Sequence, residues 1–294
     1  MMIQYQAELV LDAKAQLGEG PCWDDQAGLL YWVNIAEMRV HSFDPSNGLN
    51  RTIQLDQKVG AAVLRQSGGL VLALEHGFHM LDLETEQLTF LEDPESHLAG
   101  NRFNDGKCDP AGRFWAGTMS QQKGGAIGSL YCLDTDRSVR KMIEGVTTSN
   151  GLGWSPDGKT MYYIDTPTKR VVAYDYDLAT GKIGNVRTVV TIPENSGAPD
   201  GMTVDAEGML WVAQWNGWQV SRWNPHTDEQ LASIPIPAAC VTSCTFGGPG
   251  NDELYITTAR KDAADAELAE QPHAGGLFRV KPGIQGLPTY RYGG

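Results

Sequence analysis

The sequence predicts an all-β chain folded as a six-bladed β-propeller of four-stranded antiparallel blades, and three observations carry that prediction. A unit of about 40 to 50 residues, the length of a four-stranded blade, recurs six times. Each copy carries hairpin signals, such as Asn47-Gly48 and Thr180-Gly181. Outside 262–271 no convincing helical stripe appears.

Taken in order, the copies run from Cys22-Trp23-Asp24-Asp25 through Gly28 to Tyr31-Trp32, and from Ala62-Val63-Leu64 through Gly69 to Leu72. The third runs from Lys107-Cys108-Asp109 through Gly112 to Phe114-Trp115, the fourth from Trp154 through Gly158 to Tyr162-Tyr163. The fifth spans Val204-Asp205, Gly208 and Trp211, and the sixth Thr245-Phe246-Gly247 and Leu254-Tyr255-Ile256. Segment 262–271 is expected as an insertion between strands of the last copy. Segment 7–13 precedes the first copy and is expected to complete the blade that holds 254–258, a closure that removes two sheet edges. The chain reads as one domain over 1–294, with no internal linker.

Composition supports this reading and narrows the function. With 294 residues, 41% of them hydrophobic, the chain buries a core without staples. A formal charge of −13 argues against nucleic acid and anionic membranes as partners. No apolar run approaches the ~18 residues of a membrane helix, and Met1-Met2-Ile3-Gln4 starts no basic-then-apolar leader. We expect a soluble, cytoplasmic monomer. The five cysteines are odd in number and form no Cys-x-x-Cys pair, so reduced thiols are expected, Cys240 and Cys244 included.

The hairpin glycine of each copy serves as a ruler for polar residues. Asn104, Asn150 and Asp200 each lie eight residues before it, and Glu19 lies nine before. In the second copy the same count lands on Ala61, and the sixth is too irregular to count. A glycine follows Glu19, Asn150 and Asp200 at once, and Asp105-Gly106 follows Asn104, which suits a backbone turning tightly about a ligand. One Asn-Gly or Asp-Gly is ordinary turn chemistry; four at one register point to a site on the channel. Two carboxylates with two amide oxygens make a hard, all-oxygen set suited to a divalent cation.

None of the six histidines shares this register, which leaves a Ser-His-Asp triad or a histidine zinc site without support. His76 and His79 read as surface or packing. Asp24, Asp25, Asp109, Asp157 and Asp205 lie beside the outer hairpin turns, where Asx-turn capping accounts for them. Arg102, just ahead of Asn104, is either a cation for an oxygen-rich ligand or a solvated surface arginine. The eight tryptophans are read as packing.

At these residues the chain resembles the senescence marker protein (regucalcin), gluconolactonase and luciferin-regenerating enzyme family. The matching segments are Leu17-Gly18-Glu19-Gly20-Pro21, Arg102-Phe103-Asn104-Asp105-Gly106-Lys107, Ala116-Gly117-Thr118-Met119, Ser149-Asn150-Gly151, Pro199-Asp200-Gly201-Met202, Asp205-Ala206-Glu207-Gly208 and Ala274-Gly275-Gly276. The resemblance implies that Glu19, Asn150 and Asp200 hold one divalent cation, Ca²⁺ foremost, with Zn²⁺, Mn²⁺ or Mg²⁺ as alternatives. It also implies that Arg102 and Asn104 bind the substrate, a small sugar lactone that is hydrolysed. Where regucalcin-like members carry a substrate-contacting acid, this chain has Ser120-Gln121-Gln122-Lys123, with Gln122 nearest the expected position in a loop over the site.

Lactone opening needs a polarised carbonyl, a deprotonated water and a stabilised oxyanion. A cation meets the first and third needs, and Asp200 is placed as ligand and general base. The proton acceptor is either Asp200 or a hydroxide generated at the cation. Two other functions compete: phosphotriesterase-like hydrolysis on the same cation, and a non-catalytic calcium- or ligand-binding propeller. Glu19, Asp200 and Arg102 together favour an enzyme.

Overall fold

A computed structural model describes residues 5–122 and 125–294. Met1 to Gln4, on which the leader reading rests, and Lys123 of the loop over the site lie outside the described residues. Six four-stranded antiparallel sheets follow one another along the chain as the blades of a six-bladed propeller. Their innermost strands are Gly18–Asp24, Val59–Leu64, Asn101–Cys108, Ser149–Trp154, Ala198–Val204 and Cys240–Gly247, numbered here as blades 1 to 6.

Burial changes from the channel outward, and the sequence pattern changes with it. Val59–Leu64 is buried at every residue, because its faces pack on neighbouring blades, and it reads as an unbroken apolar and small-residue run. The outermost strand of the same blade, Leu88–Glu92, is half-buried or exposed throughout. In blade 6 the strand Glu8–Leu11 pairs antiparallel with Leu277–Val280, placing Glu8 opposite Arg279 and joining the chain's beginning to its last blade. The expected insertion is the helix Asp265–Glu270, between the last two strands of that blade in sequence. Among the described residues no helix is long and apolar enough to cross a membrane.

The acids at the outer hairpin turns do more than cap them. Asp109 accepts from the backbone of Ala111 and Arg113, and also from Trp115 Nε1 at 2.9 Å and Tyr176 Oη at 2.5 Å. Asp205 repeats the arrangement with Trp211 Nε1 at 2.9 Å and Arg222 Nε at 2.8 Å. Each buried carboxylate thus satisfies an indole N–H that the apolar packing would otherwise strand.

The C-terminal segment crosses this same face. Gly286 N–H donates to Asn251 O, Arg291 reaches Asp24, Tyr292 N–H donates to Leu64 O, and Gly293 N–H donates to Gly112 O. Leu287 to Tyr290 help line a channel cavity of about 70 Å³ shared with Asp105 and Lys107. The segment covers that end of the channel.

Candidate functional site

In every blade the innermost strand slips register against its neighbour at one place, after Glu19, Val59, Phe103, Ser149, Pro199 and Val241. Such bulges leave one or two residues out of the ladder and re-aim their side chains. Asn104, Asn150 and Asp200 are the first residues of their bulges, and Glu19 immediately precedes its own. The shared register is therefore a shared backbone irregularity.

The two copies that lacked a polar residue in the count fill the place differently. In blade 2 the extra residue is Gly60 rather than Ala61, since Ala61 pairs with Ala73. A Cβ on Gly60 would lie 2.4 Å from Asn104 O. In blade 6 the residue is Thr242, whose hydroxyl donates to Gly18 O at 2.6 Å and ties blade 6 to blade 1.

The glycines after the site residues correct the sequence reading in part. Only Gly20 has the left-handed backbone (φ 51°) expected of a tight turn. Gly151 and Gly201 are needed for close approach instead. A Cβ on Gly151 would meet Asp200 O at 2.9 Å, and one on Gly201 would meet Ser243 Oγ at 2.1 Å. Inner strands crowd where the channel is narrowest, so the neighbouring blade excludes a side chain there. The Gly117 of Ala116-Gly117-Thr118-Met119 has the same cause, because a Cβ would sit 1.8 Å from Ser149 Oγ.

The structure links three of the predicted residues, Arg102, Asn104 and Asn150, by a chain of hydrogen bonds. Arg102 Nη1 donates to Asn104 Oδ1 at 2.8 Å, and Asn104 Nδ2 donates to Asn150 Oδ1 at 2.9 Å and to Ser149 O at 2.7 Å. Asn150 Nδ2 donates to Thr166 Oγ1 at 2.7 Å, which donates in turn to Pro199 O, next to Asp200. Both ends of the Asn104 amide are engaged by protein, which orients it. Arg102 is buried rather than solvated, and among the described residues no carboxylate lies within 4.0 Å of its nitrogens. Burial draws its guanidinium down to about 10, against the fields of Glu19, Glu75 and Asp200, which favour its charge.

Glu19 and Asp200 are both buried. Burial first, and the nearby Asp105 charge second, push the Glu19 carboxyl up to about 8, opposed by the Gly20 N–H and Arg102. Burial, then Glu19 and Asp105, hold Asp200 well above the usual carboxylate range. Asp105 is a functional candidate that sequence reasoning passed over. It is buried beside the other two, and its carboxyl is raised by burial against the Lys107 charge. Its signal in the sequence was Asp105-Gly106 following Asn104, where a glycine alone follows Glu19, Asn150 and Asp200; the structure makes it the second residue of the blade 3 bulge.

Like-charged buried carboxylates beside an oriented amide oxygen fit a hard divalent cation, whose charge offsets their repulsion. Among the described residues no group of three or more His, Cys, Asp or Glu side chains is placed to hold an ion, so such a cation relies on amide oxygen as well. Gln122 is exposed at the edge of the described loop, its side chain against Gly100, whose Cβ would lie 3.1 Å from Gln122 Nε2. Gln121 is the loop residue that reaches across, donating to Glu75 Oε1 at 2.6 Å.

A six-bladed propeller with acids and amides at its inner-strand bulges defines a narrow class. The chain belongs to the SMP-30/Gluconolactonase/LRE-like family, whose model matches residues 17–260. It is 42% identical over 275 residues, 94% of each chain, to YvrE of Bacillus subtilis (strain 168), whose name proposes a sugar lactone lactonase. It is 40% identical to regucalcin of Xenopus laevis over an alignment of 299 positions that covers the full length of both. The crystal structure of a calcium-binding protein, regucalcin from Agrobacterium tumefaciens strain C58, superposes with a TM-score of 0.94 at 29% identity, covering 99% of each chain.

Proposed function

We propose that this chain is a divalent-cation-dependent lactonase that opens a sugar lactone to its open-chain acid. The observation that carries the reading is the bonded path from Arg102, a buried guanidinium without an ion-pair partner within 4.0 Å among the described residues, through Asn104 to Asn150, beside Glu19 and Asp200. Glu19, Asn150 and Asp200 would hold the cation, for which Ca²⁺ is the first candidate in view of the relative described as calcium-binding. When bound, the cation polarises the lactone carbonyl and offsets the negative charge of the tetrahedral intermediate.

The remaining work falls to side chains. Asp200 accepts a proton from the attacking water, whose oxygen forms the new bond to the carbonyl carbon. As the ring C–O bond breaks, the departing ring oxygen takes that proton back from Asp200 and becomes a hydroxyl. Arg102 holds the lactone oxygens by charge-assisted hydrogen bonds, and Asn104 fixes the angle of Arg102. Gln122 supplies a neutral contact from the loop. Five unpaired cysteines agree with action in the cytoplasm, and we take 1–294 to act as one propeller domain and a monomer.

The test is acid release from aldonolactones in a weakly buffered indicator assay. Protein stripped of cation should be inactive, and Ca²⁺, Zn²⁺, Mn²⁺ or Mg²⁺ added singly should restore turnover. Absence of turnover with all four cations would reject the lactonase reading, and phosphotriester cleavage in the same assay would replace it.

A further inference from the structure

Lys107 crosses the channel. It stands on the innermost strand of blade 3, two residues after Asp105, and its Nζ donates to Met202 O of blade 5 at 2.6 Å, past the intervening blade 4. A charge-assisted bond of that length fixes the ammonium in place, two residues beyond Asp200 along blade 5. Among the described residues Met202 O is its one hydrogen-bond partner, so two of its three N–H groups are unused at the channel cavity of about 70 Å³ that it lines. Trp154, whose buried Nε1 also has no partner, lines the same cavity, and Asp105 supplies its carboxylate wall. The charge of Lys107 is therefore balanced across the channel by Asp105 and not by a contact ion pair.

The interacting charges of the channel are few. Three carboxylates, Glu19, Asp105 and Asp200, face two basic groups, Arg102 and Lys107, while Glu75 at the rim is paired with Lys58. With all five ionised they leave one negative charge, which a bound divalent cation turns into one positive charge. Without Lys107 the loaded channel would be neutral. Leu287 to Tyr290 close the end of the channel where Lys107 lies, so its charge acts through a weakly screening medium. Burial draws its ammonium below the ordinary lysine range, and Asp105 is the foremost charge that keeps it protonated.

We infer that Lys107 is a positioning residue for charge: the fixed counter-charge of Asp105, which loosens the hold on a divalent cation and leaves the loaded site positive toward the oxyanion of the tetrahedral intermediate. Its effect on the oxyanion rests on the lactonase reading; its effect on cation affinity does not. Lys107 acts through the field and needs contact with neither cation nor substrate. Two residues of strand span at most about 7 Å, which puts the ammonium on the order of 10 Å from a cation held by Asp200. At an effective dielectric of about 20, a unit charge at that distance changes an equilibrium constant about tenfold or more. The two effects have opposite signs, because a positive charge repels the cation and stabilises the oxyanion.

The experiment titrates Ca²⁺ by calorimetry into wild type, the neutral variants Lys107→Met and Lys107→Gln, and Lys107→Arg, which keeps the charge, and measures opening of D-glucono-δ-lactone by each at saturating Ca²⁺. The neutral variants should bind Ca²⁺ ~10-fold more tightly than wild type and open the lactone with a kcat ~10-fold lower, while Lys107→Arg should stay near wild type in both. Adding Asp105→Asn to Lys107→Met should return the Kd toward wild type, since the charge that Lys107 balances is then gone. A packing defect alone weakens Ca²⁺ binding and lowers kcat together, so tighter binding with slower turnover identifies the charge. Equal or weaker Ca²⁺ binding in the neutral variants would overturn the inference, and tighter binding with a wild-type kcat would overturn its oxyanion half. If wild type opens no lactone, the reaction assignment falls, and the Ca²⁺ series still decides the role of Lys107.

Discussion

Asn104 Nδ2 and Asn150 Oδ1, on neighbouring blades 46 residues apart in sequence, lie 2.9 Å from each other in a buried hydrogen bond. This bond ties the group that orients Arg102 to the amide proposed to face the cation.

Asn104→Ala should therefore affect two properties at once. It removes the acceptor of Arg102 and a donor to Asn150, and an unsatisfied buried partner costs about 1–3 kcal/mol. We expect KM for a sugar lactone and the Kd for Ca²⁺ each to rise about 10-fold, read by steady-state kinetics and calorimetry. A change in only one of them would show that the two residues act independently.

Asp200→Asn tests the proton acceptor. The amide keeps an oxygen donor of nearly the same size yet takes no proton, so kcat at saturating cation should fall by ~10²–10⁴-fold. Full occupancy is established first by calorimetry, so that a lost cation is not read as lost chemistry. A wild-type kcat in the fully loaded variant would assign proton removal elsewhere.

The cation-free protein should lose stability as pH rises from about 5 to 8. Glu19 titrates near 4.5 in the unfolded chain and near 8 when folded. Between those values the native state keeps a proton that the unfolded state has released, and its stabilising effect is complete below the lower value and gone above the higher one. The slope for one such proton is about 1.4 kcal/mol per pH unit, and Asp200, raised by the same causes, acts in the same direction. Urea titrations in EDTA should show this decline, and saturating Ca²⁺ should remove it by favouring the ionised carboxylates. A flat EDTA profile would contradict the burial of Glu19 in its neutral form.

Gly60→Ala should destabilise the fold although it adds one methyl group. Its Cβ would lie 2.4 Å from Asn104 O and 2.6 Å from Phe103 O, backbone atoms of the next blade. Overpacking of this kind costs about 1–3 kcal/mol. Gly184→Ala, where nothing lies within 4 Å, is the comparison. Equal urea midpoints for the two variants would mean that blades 2 and 3 are not in close contact at this bulge.

The sequence alone determined the number of blades, their four-stranded antiparallel make-up and the register of Glu19, Asn104, Asn150 and Asp200. These are local properties: hairpin glycines, aromatic strands and polar residues repeat at spacings the pleat and the turns impose. It also located the closing strand, since a β-rich segment before the first copy has an unpaired last blade to join. Tertiary structure decided the rest, because the deciding contacts are between blades. The count from Gly69 missed Gly60, since a bulge changes how many residues separate the site from the turn, and only the partner strand reveals it. Asp105 became a member of the acidic cluster, and Arg102 a buried cation, only when three blades met at the channel. Glycines read as turn formers at 151 and 201 are instead small because the next blade occupies the space of their Cβ atoms. Packing around a closed ring joins residues about 50 to 220 positions apart, as Thr242 to Gly18 and Asn104 to Asn150 show, and one strand's pattern carries no record of such partners.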